Sequence, residues 1–150
     1  MGEFRFHHCE RRRVDEAMPA LLERALEEGR RVVVRASSEE MVAALNDRLW
    51  TYDDAGFLPH GAAGDGDPTV QPIFLTARVE NPNRATLLLR LSGAEMAPED
   101  AEFDPVVLMF DGRDGDSLAD ARAEWRRLKD EGHAISYWRE GDEGGWERAR

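Results

Sequence analysis

The sequence predicts an α/β domain, one mostly parallel sheet with helices on both faces. Short apolar or β-branched runs alternate along the chain with segments whose apolar residues recur every three or four positions. Two of the runs, Arg31 to Ala36 and Val106 to Phe110, are nearly continuous in apolar residues, as strands buried on both faces are. At 150 residues with a hydrophobic fraction of 41%, the chain fits a single domain able to bury its own core.

Phe4 to His8 alternates apolar and polar residues and opens the domain as a short strand. Val14 to Gly29 follows as a helix, with Ala17, Leu21, Leu22, Ala25 and Leu26 on one face and Gly29 as its stop. Arg31 to Ala36 is the buried strand. Ser37 or Ser38 then caps a second helix, and Ser37 has the capping-box spacing to Glu40. Met41, Val42, Ala44, Leu45 and Leu49 form the stripe expected to be buried. Gly61 to Pro68 reads as a flexible polar loop. Pro72 to Thr76 and Thr86 to Leu91 are strand candidates on either side of a turn-rich Glu80-Asn81-Pro82-Asn83. Pro98 to Phe103 reads as a helical turn, Val106 to Phe110 as a strand ended by Asp111-Gly112, Ser117 to Gly132 as the third long helix and Ile135 to Arg139 as the last strand. The domain is expected over residues 1–140, with the Gly- and charge-rich residues 141–150 as a flexible tail. Strand, helix, strand, helix, strands, helix, strand is a Rossmann-like alternation.

Net charge is −11 and the isoelectric point is near 4.8, with a mean hydropathy of −0.61. A field of that sign argues against gripping nucleic acid by overall charge. No apolar run reaches the roughly 18 residues of a membrane span. The opening MGEFRFHHCERRR lacks the pattern of a signal peptide, and the lone Cys9 has no internal disulfide partner, which fits a reducing cytoplasm.

Leu49 to Gly61 is unusual for a connection. Trp50, Tyr52, Phe57 and Leu58 sit among acids and turn formers, and Pro59 stiffens the exit. Aromatic residues in such a segment either fold back as a plug or present a contact surface.

Several chemistries are missing. Neither G-x-G-x-x-G nor G-x-x-x-x-G-K-[ST] occurs, so no dinucleotide or P-loop cofactor is expected. On a strand only His7 and Cys9 of His7-His8-Cys9 share a face, too few ligands for a closed metal site. Asp111, Asp114 and Asp116 resemble a calcium loop, but Arg122 stands where the bidentate glutamate belongs. No serine or cysteine sits in a nucleophile elbow. The sequence therefore makes no case for catalysis, and no cofactor or metal is expected.

The third helix is more informative. On a wheel of about 100° per residue with Leu118 at zero, Ala121, Trp125 and Leu128 cluster at about 300°, 340° and 280°. Lys129, Arg122 and Arg126 fall at about 20°, 40° and 80°, whereas Asp120, Glu124 and Glu131 lie near 200–240°. Three cations thus line one edge of the apolar face, with Trp125 at the seam. Their stems can cover apolar surface with the heads in water. Alternatively the edge is a site suited to an acidic peptide with an apolar end.

Leu45 to Trp50, Gly56-Phe57-Leu58-Pro59-His60, Phe110 to Asp114 and Ala121 to Gly132, with the strands at Phe4 to His7 and Ser136 to Trp138, resemble the chi subunit of bacterial DNA polymerase III holoenzyme over nearly the full length. The resemblance implies a non-catalytic, cytoplasmic accessory subunit of the clamp loader. It implies binding of the acidic C-terminal tail of single-stranded-DNA-binding protein, and so an indirect association with single-stranded DNA. The tail-binding positions of that family match Arg122, Trp125 and Arg126, beside Lys129 on the wheel. A basic position one turn earlier in some members is Leu118 here. The resemblance further implies a psi partner at Trp50, Phe57, Pro59 and His60. Two other classes remain open on the sequence: a degenerate nucleotide-binding enzyme on the same fold, and direct single-stranded DNA binding by the Arg-Trp edge.

Overall fold

A computed structural model describes residues 2–51, 59–142 and 145–150. Eight strands form one sheet in the order β3-β4-β2-β5-β6-β1-β7-β8: β1 (Phe4–Cys9), β2 (Val32–Arg35), β3 (His60–Ala62), β4 (Ile73–Thr76), β5 (Leu87–Leu91), β6 (Val106–Asp111), β7 (Ile135–Glu140) and β8 (Trp146–Arg148). Every pairing is parallel except that of β8 with β7. Three helices, α1 (Val14–Glu27), α2 (Glu39–Thr51) and α3 (Gly115–Asp130), pack on it, giving the α/β, Rossmann-like single sheet that the alternation predicts.

Strand alternation sorts the core into two layers. Val32, Val34, Leu89, Val107 and Met109 meet Ala17, Met18 and Leu22 of α1 and Val42, Leu45 and Leu49 of α2. Phe4, Phe6, Val33, Leu88, Leu108 and Phe110 face the other way, toward Leu118, Ala121, Trp125 and Leu128 of α3. Each fully buried side chain of this size contributes roughly 1.5–3 kcal/mol. The central strands are buried on both faces, which explains their continuous apolar runs.

A buried ionic chain fixes α3 from outside the core. Arg35 Nη1 donates to both carboxylate oxygens of Asp100, at 3.0 and 2.9 Å, and to Glu95 O at 3.0 Å. Asp100 lies in a 3-10 turn (Pro98–Glu102) and also accepts from Ala97 N–H at 3.1 Å. Arg90 of β5 reaches Asp100 at 3.9 Å and is ion-paired to Glu124 of α3, which also takes Arg127 at 3.2 Å.

Several local expectations are corrected. Of the two serines expected as the α2 cap it is Ser38 that serves, its Oγ accepting from Met41 N–H at 3.1 Å, and not the Ser37 of the capping-box spacing. Met41 and Ala44 are exposed, Met41 by 44%, because only Val42, Leu45 and Leu49 point at the sheet. Gly61 and Ala62 belong to β3, inside the stretch expected as a loop. Beyond Gly141, in the stretch expected as a tail, Trp146–Arg148 pairs with β7 as β8. No described helix is long and apolar enough to cross a membrane.

Candidate peptide-binding cleft

α3 lies over β6, β1 and β7 with its Trp125 edge turned to the sheet. The Trp125 ring meets Phe6 edge-on at 5.2 Å and Tyr137 at 6.0 Å. Beside them His8 stacks on Phe110 at 5.0 Å and meets Tyr137 edge-on at 5.8 Å. The His8 Nδ1 and the Tyr137 hydroxyl share a hydrogen bond. These five rings floor a cleft of about 460 Å³ walled by Arg122 and Arg126 of α3 on one side and by Arg139, Ala149 and Arg150 on the other. Gly112, in the turn after β6, lies against the His8 ring, which a Cβ there would overlap.

The electrostatics of the two flanks of α3 differ. On one, Arg127 is held by Glu124 at 3.2 Å and Glu131 at 2.9 Å. On the other, Arg122, Arg126 and Lys129 are exposed and have no carboxylate partner among the described residues. Arg139 is neutralised by Glu10 at 2.8 Å. Burial lowers the His8 imidazole and raises the Tyr137 hydroxyl from their ordinary values, so both rings are neutral near pH 7. An apolar, aromatic floor with the Arg122 and Arg126 guanidiniums on its α3 rim, facing the Glu10–Arg139 pair, suits a ligand that is apolar at one end and anionic beside α3.

Of the residues singled out in the sequence, Arg122, Trp125 and Arg126 line this cleft, and Lys129 lies one turn further along α3, outside its lining. Periodicity alone does not reveal His8, Phe110, Tyr137, Arg139 or Arg150, which arrive from other elements. The second group lies elsewhere. Trp50 lies in the last turn of α2, exposed by 53%, and its ring packs on buried His60 at 4.2 Å, while His60 Nε2 lies 3.3 Å from Asn46 O. Pro59 is half-buried, and Phe57, Tyr52 and Leu58 lie outside the described residues.

His7 and Cys9 face the opposite side of the sheet. Burial lowers His7 to about 3 and pushes the Cys9 thiol up to about 12, so neither offers a charged or thiolate group at neutral pH.

The family described as "DNA polymerase III chi subunit, HolC" matches residues 1–136. The chain belongs to the DNA polymerase III chi subunit family. It is 31% identical over 97 residues to the "Probable DNA polymerase III subunit chi" of Rickettsia prowazekii (strain Madrid E), a match covering 65% of this chain and 59% of that protein. It is 25% identical over 109 residues to the "DNA polymerase III subunit chi" of Haemophilus influenzae (strain ATCC 51907 / DSM 11121 / KW20 / Rd), covering 72% and 74%. The family match takes in all of α3, β1 and β6 and the start of β7, and so most of the cleft of this chi-family chain.

Proposed function

We propose that this chi-family protein is a non-catalytic accessory subunit of the replicative polymerase's clamp loader. It binds the acidic C-terminal tail of single-stranded-DNA-binding protein in the α3 cleft, and so links the holoenzyme to coated template. One observation carries the reading: Arg122 and Arg126, without carboxylate partners among the described residues of a chain of charge −11, flank Trp125 at the edge of a floor of five rings that includes it. The rings accept the peptide's apolar end and the guanidiniums its carboxylates. A second surface, at Trp50, Pro59 and His60 together with Phe57, takes a psi subunit where one is present. Its support is the exposed indole of Trp50 seated on His60.

The test is a titration of labelled acidic peptide ending in Ile-Pro-Phe, followed by anisotropy in low and moderate salt. Saturable binding on the order of micromolar is expected, since a short peptide buries little area. It weakens with salt and is lost without the terminal Phe or in an Arg122→Ala, Arg126→Ala double variant. Unchanged affinity in that double variant would overturn the assignment.

A further inference from the structure

The stretch after Gly141 belongs to both faces of the sheet. Trp146 of β8 packs against His7 at 4.5 Å on the α1 side. Three residues on, the chain still runs beside β7 and borders the cleft on the other face. Ala149 N–H donates to Tyr137 O at 2.7 Å and Tyr137 N–H donates to Arg150 O at 3.2 Å, so Ala149 and Arg150 become a wall of the cleft. Arg148 Nε donates to the same Arg150 O at 3.1 Å and braces it. Gly141 N–H donates to Gly145 O at 2.7 Å where the chain turns back.

The charges on that wall are unequal. Arg139 already serves Glu10, whereas Arg150 has no carboxylate partner among the described residues. Arg122, Arg139, Arg150 and Glu10 all line the cleft around the Tyr137 ring, which sets Arg150 around the same floor as the α3 cation. β8 is a three-residue edge strand, so beyond its backbone bonds to β7 its position depends on what its side chains pack against. Here that is the Trp146 indole on the His7 and Trp138 side of the sheet.

We infer that Arg150 is a further contact for the acidic peptide, on the β7 side of the cleft, and that Trp146 is a positioning residue that holds it there. The inference rests on the tail-binding reading above and adds to it. A peptide in the cleft is gripped from two sides, by Arg122 and Arg126 from α3 and by Arg150 from the C-terminal segment.

The peptide titration tests it with single and paired variants of the full chain. Arg150→Ala is expected to weaken binding about three- to tenfold at low salt and to flatten the salt dependence, as the loss of one charge-assisted contact does. Arg150→Lys restores part of it. Trp146→Ala is expected to give a similar loss, and Arg150→Ala added to it to cost almost nothing more, because the arginine has already lost its place. Trp146→Phe, which keeps an aromatic anchor, stays near the parent. Wild-type affinity in Arg150→Ala, alongside lost binding in Arg122→Ala, would overturn this inference alone. Unchanged binding in Arg122→Ala would overturn the reading beneath it. Fully additive losses from Trp146→Ala and Arg150→Ala would remove Trp146 from the positioning role.

Discussion

His8 Nδ1 and the Tyr137 hydroxyl are hydrogen-bonded across the β1–β7 pair, although 129 residues separate them in sequence. The bond orients the two polar rings of the cleft floor. Tyr137→Phe keeps the ring and removes the hydroxyl, so urea denaturation is expected to show a loss of about 1 kcal/mol. A neutral result would mean that packing alone sets the two rings.

His7, on the opposite face, is 5% exposed, and neither ring nitrogen has a hydrogen-bond partner among the described residues. Burial holds its folded value near 3 against an ordinary 6.5. Above pH 6.5 it is neutral in both states and has no effect on the pH dependence. Between about 6.5 and 3 the unfolded chain takes up the proton and the folded one does not, so stability falls with pH across that window. From pH 7 to 4.5 the expected contribution is roughly 2–3 kcal/mol, and His7→Phe should lose less stability over that interval by that amount. Acid shared by other groups cancels in the comparison, and parallel stability curves for the two proteins would contradict the prediction.

The Arg35–Asp100 pair is buried on both sides. Asp100→Asn leaves the Arg35 guanidinium without its counter-charge and is expected to cost about 3–5 kcal/mol in denaturation. Because Arg90 and Glu124 continue the chain into α3, the same variant should also loosen the cleft wall. Faster amide exchange around Glu124 would report it.

Trp50 predicts the opposite pattern. Its indole is more than half exposed. Trp50→Ala should change stability by only about 0.5 kcal/mol while abolishing any partner that docks on that surface. A loss of several kcal/mol would make the indole a structural plug.

Much of the architecture was legible because burial writes itself into spacing. The all-apolar centres of β2 and β6 and the wheel of α3 each follow from one element's own pattern. The free edge of α3 was equally legible, since Glu124, Arg127 and Glu131 segregate to the other flank and satisfy one another there. Strand order carries no such mark. β3 is three residues around Gly61, and β8 is a Trp between glycines and charges, so neither shows an alternation long enough to read. The α2 stripe misled because Met41 and Ala44 have helical spacing without a sheet residue opposite them. The cleft's other wall was out of reach for the same reason as strand order: His8, Tyr137 and Arg150 share no local pattern and meet only through β1, β7 and the chain after β8.

The position of β1 also sets the order of events when the protein is made. β1 is paired on one side with β6 and on the other with β7, both about a hundred residues or more later in the chain. Until those strands are synthesised, Phe4 and Phe6 have neither sheet neighbours nor α3 to cover them. Closing such distant pairs slows folding relative to local ones. The β6–β1–β7 part of the sheet is therefore completed late, and any nascent chain stopped before Val106 carries an aromatic strand with both edges open to other chains.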